Sequence, residues 1–126
     1  MKKLLTLVAV AAAGLAVTGA AQAGCMATVG LTAPKTHPVG KPWVVTLRVL
    51  QHGRTPMPDA RPVVRIRDAK GKLLSFRAAR TKVVGSYRAR VVFPAAGLYR
   101  LGVYDGFPFD DCARVHRFKS ILIEEV

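Results

Sequence analysis

Tyr87-Arg88-Ala89-Arg90-Val91-Val92-Phe93-Pro94-Ala95-Ala96-Gly97-Leu98-Tyr99-Arg100-Leu101-Gly102-Val103-Tyr104 decides the fold. Tyr87, Ala89, Val91 and Phe93 alternate with Arg88, Arg90 and Val92. After a Pro94–Gly97 turn, Tyr99, Leu101 and Val103 alternate with Arg100, Gly102 and Tyr104. A period of two with arginine on the off-beat is the pattern of strands that bury one face and leave the other in water.

The pattern repeats outward. Trp43, Val45, Leu47 and Val49 alternate with Val44, Thr46, Arg48 and Leu50, and Val64 and Ile66 with Val63, Arg65 and Arg67. Turn residues separate the runs: Gly40-Lys41-Pro42, the segment 53–59 with two prolines, Ala69-Lys70-Gly71-Lys72, and Asp105-Gly106. About seven strands follow, at 26–33, 42–51, 62–68, 72–79, 86–93, 98–104 and 115–124. In the last, His116 and Phe118 share one parity and Ile121 and Ile123 the other, for which a bulge between them is one explanation. Strands at this spacing in about 100 residues predict an all-β chain, a single immunoglobulin-like β-sandwich. Gly97-Leu98-Tyr99-Arg100-Leu101 has the form of a tyrosine corner, with the Tyr99 hydroxyl bonding backbone across the turn. Leu101 stands where antibody domains carry their second core cysteine, so their disulfide is not expected.

The first 23 residues read as a helical secretory signal peptide: Lys2 and Lys3, an apolar run from Leu4 to Val17, and Ala21-Gln22-Ala23 at the cleavage site. Cleavage leaves 24–126 as one domain with no apolar stretch long enough to span a membrane. A periplasmic or secreted protein is expected. The two cysteines, Cys25 and Cys112, are then expected to form a disulfide. Ala23-Gly24-Cys25 also allows lipidation of Cys25 as a lipoprotein anchor, although Gln22 suits ordinary cleavage better.

The chain carries a net charge of +13, and +11 remains without Lys2 and Lys3. That excess predicts attraction to an anionic surface component or an acidic envelope protein. The basic residues are interleaved with apolar ones, as on the solvent faces of strands, where charge also protects edges. Nucleic acid is not an expected partner, for the chain reads as exported and shows no nucleic-acid-binding motif.

Two loops are expected at one end of the sandwich, 52–59 and 105–116. They contain His52, Met57 and His116, an imidazole and thioether set that suits copper. They also hold Arg54, Asp105, Phe107, Phe109, Asp110 and Asp111, a candidate interaction surface. The three aspartates offer oxygens for calcium, but in no calcium-loop spacing. No nucleophile elbow, phosphate-cradling glycine loop or zinc helix is present, so catalysis is not expected.

The segments Gly40-Lys41-Pro42-Trp43, 51–57, Phe93-Pro94-Ala95-Ala96-Gly97-Leu98-Tyr99 and Tyr104-Asp105-Gly106-Phe107 resemble the YtkA-like domain family of bacterial secreted and membrane-anchored proteins. The resemblance covers about two thirds of the mature chain and implies an immunoglobulin-like sandwich outside the cytoplasm. The similar CopC-like proteins carry copper near an N-terminal histidine; Gly24-Cys25 offers none, so that site does not carry over. The expected function is a non-catalytic extracytoplasmic interaction domain working through loops 52–59 and 105–116. The alternative is copper handling.

Overall fold

Alternation becomes architecture through pairing. The structure, a computed structural model, describes residues 25–109 and 111–126; the expected signal peptide, 1–23, lies outside them. The strands in chain order are β1 (Ala27–Gly30), β2 (Thr36–Pro38), β3 (Trp43–Gln51), β4 (Thr55–Pro56), β5 (Val63–Arg67), β6 (Leu73–Arg77), β7 (Ala79–Arg80), β8 (Ser86–Val91), β9 (Gly97–Tyr104) and β10 (Val115–Glu124). One sheet runs β1-β3-β8-β7 with β4 also paired to β3; the other runs β2-β10-β9-β5-β6. The two pack as an immunoglobulin-like β-sandwich.

The inward residues are those the alternation selects. Val45, Leu47 and Val49 of β3 and Ala89 and Val91 of β8 meet Val64, Ile66, Leu101, Val103, Ile121 and Ile123 of the other sheet, all buried. Each large aliphatic side chain removed from water contributes about 2 kcal/mol. At one end Phe93 packs on Trp43 and Tyr99, with ring centroids 6.4 and 5.1 Å apart. The Tyr99 hydroxyl donates to the Ala95 carbonyl at 2.8 Å, four residues back, and fixes the corner that the sequence predicts.

Two expectations change. The strand at 26–33 ends at Gly30, and the chain re-enters as β2 in the opposite sheet, parallel to β10. Pro34 lies between the two and has no N–H for a ladder, which explains where the strand stops and the chain switches sheets. The strand at 86–93 stops pairing at Val91, although Phe93 stays in the core. The β10 bulge falls at the parity break, between Phe118 and Ile121, and returns Ile121 to the core face opposite Tyr99.

Cys25 and Cys112 form a disulfide across 87 residues, Cα atoms 4.8 Å apart, tying the start of β1 to the loop before β10. The bond belongs to an oxidising environment. It occupies the Cys25 sulfur, the atom that acylation would use. Among the described residues no helix is long and apolar enough to cross a membrane.

Candidate functional site

The end of the sandwich that holds the predicted loops is built around two buried polar side chains. Tyr87 sits on the core face of β8, and its hydroxyl donates to the Met57 carbonyl and accepts from the Ala60 N–H at 3.0 Å. Burial pushes this hydroxyl above its ordinary value of 10.0, against the lowering effects of the Ala60 N–H and Arg80. One side chain thereby pins segment 57–60 to the core, with the Met57 side chain buried beneath it.

Asp105 is the second hub and is completely enclosed. Its Oδ1 accepts from the Phe107 N–H at 2.9 Å. Its Oδ2 accepts from the Arg114 N–H at 3.2 Å and from His116 Nε2 at 2.7 Å. His116 pairs with Val103 in register, so its ring enters the rim of the core. The carboxylate therefore closes the 105–114 loop on itself. Gly106 makes the loop's closest approach: its carbonyl accepts from the Arg61 N–H at 3.0 Å, and a Cβ on it would lie 2.1 Å from the Arg61 oxygen.

These contacts redistribute the predicted site residues. Asp105 is a structural hub and not an exposed contact. Phe107, expected on an exposed tip, is 5% exposed; its N–H is held by Asp105 and its ring meets Phe109 edge-on at 5.3 Å. Phe109 is 53% exposed, and Arg54 and Asp111 are exposed as well. Asp110 lies outside the described residues. His52 opens the turn between β3 and β4 with a φ of 55°, exposed, its N–H donating to the Met26 carbonyl at 2.6 Å.

Of the copper candidates, His52 is exposed, Met57 is buried and His116 is bonded to Asp105. Among the described residues no three His, Cys, Asp or Glu side chains are grouped to hold a metal ion. Both oxygens of Asp105, one of the three aspartates considered for calcium, are committed to hydrogen bonds within the protein.

The sheet exteriors carry what the loop-centred reading missed. On the first sheet Arg90 pairs in register with Val44 and Arg88 with Thr46, with Arg48 one row on. On the second, Arg65 of β5 and Arg117 of β10 flank Gly102, and Arg67 lies directly opposite Arg100. Among the described residues the ion pairs are Arg80–Asp59 at 3.7 Å and His116–Asp105, so these strand arginines face no acid. The signal was present in the off-beat arginines of every long strand.

No protein-family model and no curated protein sequence matches the chain. Among solved structures it is similar to the filamin domain of Lin-41, at 11% identity and a TM-score of 0.52, over 74% of this chain and 91% of that one. It is also similar to a variant of the superoxide reductase neelaredoxin from Ignicoccus hospitalis, at 13% identity and a TM-score of 0.51, over 85% and 87% of the two chains. At such identities the likeness shows the fold alone, an immunoglobulin-like β-sandwich.

Proposed function

We infer that the chain is a non-catalytic binding domain of the extracytoplasmic space that docks on phosphate-bearing surfaces of the cell envelope. The observation that carries this reading is the rows of strand arginines on both sheets, with Arg48, Arg67, Arg88, Arg90, Arg100 and Arg117 exposed and none of them in an ion pair among the described residues. With Lys2 and Lys3 set aside, seven acids stand against 18 basic residues, which leaves these charges to be neutralised from outside. The disulfide supports a location outside the cytoplasm, and the expected signal peptide and the resemblance to YtkA-like domains belong to the same proposal. Arg54 and Phe109, exposed at the loop end, remain available to the partner.

Co-sedimentation of the oxidised protein with phospholipid vesicles tests it. Vesicles with anionic phosphate headgroups are expected to hold the protein at low salt and release it as salt rises, while neutral vesicles do not retain it. Each arginine at such a surface contributes about 1 kcal/mol, so Arg88→Gln with Arg90→Gln is expected to weaken binding roughly 30-fold. Equal retention on neutral and anionic vesicles would overturn the reading.

Copper handling through His52, Met57 and His116 is the alternative proposal. The observation in its favour is the Asp105–His116 contact, since a carboxylate on one ring nitrogen orients a histidine for a metal on the other. It requires Met57 to leave the core. Competition for Cu(I) and Cu(II) against a chelator, lost in His52→Ala, is its test.

A further inference from the structure

The outer face of the second sheet is not uniformly basic. Gly102 lies in its central strand and is part of the lining of a cleft of about 520 Å³. Arg65, Arg67, Arg100 and Arg117 line it, with Leu73 and Val115 as apolar walls. Register explains the grouping. Arg65 and Arg117 stand on either side of Gly102 in one row, and Arg67 and Arg100 form the next. The cleft is of a size that takes a small organic ligand.

Two of these side chains are held in place by the protein. Arg67 donates from Nη1 to the Gly71 carbonyl at 2.7 Å in the β5–β6 turn. The Arg65 guanidinium stacks over the Tyr104 ring, 5.2 Å from its centroid. Arg65 Nε is buried and has no hydrogen-bond partner. A buried donor without an acceptor is costly, and so are like charges paired across a sheet, as Arg67 and Arg100 are. A ligand rich in oxyanions, reached by the exposed Arg67 and Arg100, relieves the second.

We propose that Arg65, Arg67, Arg100 and Arg117 form a binding site around Gly102 for a diphosphate group carried on an organic molecule. This rests on the reading of the chain as a phosphate-binding domain and adds a discrete site to it. Guanidinium forks bind phosphate oxygens two at a time. Four forks offer more donors than one phosphate ester can accept, whereas two linked phosphates match them. The apolar walls suit the organic remainder. Soluble diphosphates and diphosphate lipids share this chemistry.

Calorimetric titration of the oxidised protein with inorganic pyrophosphate and with orthophosphate, at fixed ionic strength, tests the site. One pyrophosphate is expected to bind at least about tenfold more tightly than orthophosphate. Arg65→Lys keeps the charge but loses the fork, and is expected to weaken binding roughly tenfold. Gly102→Val projects a branched side chain from the lining of the cleft without changing charge and is expected to do the same. A Cβ at Gly102 meets the end of the Val115 side chain at 3.3 Å, which can move aside. Should that variant fail to fold, Arg65→Lys decides alone.

Arg88→Gln with Arg90→Gln, on the opposite sheet, is expected to leave pyrophosphate affinity within about twofold. Equal binding of the two anions, or an equal loss from either sheet, would overturn the site and leave vesicle binding intact. If the protein binds neither pyrophosphate nor anionic vesicles, both readings fall. Vesicles bearing a diphosphate lipid, set against monophosphate lipid at equal charge, identify the source. Preference for the diphosphate lipid assigns a membrane headgroup, and pyrophosphate binding without that preference assigns a soluble ligand; each supports the site.

Discussion

Asp105 has no exposed surface, yet its two oxygens serve three donors on Phe107, Arg114 and His116. A buried carboxylate in this position acts as a covalent-like clasp on the loop, since each donor would otherwise lack an acceptor away from water. Asp105→Asn turns one acceptor into a donor facing other donors. The expected loss is about 3 kcal/mol in denaturant-measured stability, whereas Asp111→Asn, exposed nearby, is expected to stay within about 0.5 kcal/mol. Tyr87 makes a related prediction with a pH signature. Its neutral hydroxyl is the form the fold holds, and burial raises its native value above 10.0. Its contribution is therefore complete below pH 10.0 and is lost as pH climbs through the raised native value. Tyr87→Phe is expected to cost about 1–3 kcal/mol at pH 8, because Met57 and Ala60 lose their partner. The gap between the two proteins is expected to narrow at pH values above that native value. Denaturation curves at a series of pH values measure it, and lysine titration cancels in the difference.

Strands reach the page of the sequence unequally. β3, β8, β9 and β10 are long enough to show period two, and the bulge of β10 falls at the parity break after Phe118. β2, β4 and β7 have two or three residues each, and β2 and β4 include proline, so alternation has nothing to act on. Their existence is decided by pairing partners distant in sequence: β2 needs β10, and β4 needs the end of β3. The same distance hides the site. Asp105-Gly106 reads as a turn pair because nothing local shows that the carboxylate meets residues as far on as His116. Nor does anything local show that Gly106 meets Arg61. That second contact is testable at the level of the loop. Gly106 has a φ of 61°, and any Cβ there collides with backbone, which cannot swing aside as a side chain can. Gly106→Ala is expected to cost about 3 kcal/mol or more and to loosen segments 60–62 and 105–109 together, read as faster amide exchange at Arg61 and Phe107.

Across the whole molecule, charge and cross-link oppose each other. The Cys25–Cys112 bond closes 87 residues, and restricting the unfolded chain over such a loop stabilises the fold by about 4–5 kcal/mol in the chain-entropy account. The net charge of +11 that remains without Lys2 and Lys3 acts the other way, because folding brings arginines such as Arg67 and Arg100 opposite each other in neighbouring strands. Repulsion of this kind is screened over a distance of about 10 Å at 0.1 M salt. Raising sodium chloride from about 0.02 to 0.3 M is therefore expected to raise Tm, opposite to the effect on a fold held by surface ion pairs. Screening alone treats all anions of one charge alike. A ligand that binds the native state adds a separate increment that grows with the logarithm of its concentration. At matched ionic strength, pyrophosphate is expected to raise Tm further than chloride in the native protein. The extra rise is expected to shrink in Gly102→Val, as a roughly tenfold weaker binding requires, while the chloride response remains. An identical rise in both proteins would make the stabilisation a property of the total charge, and not of the arginines gathered at the centre of the second sheet.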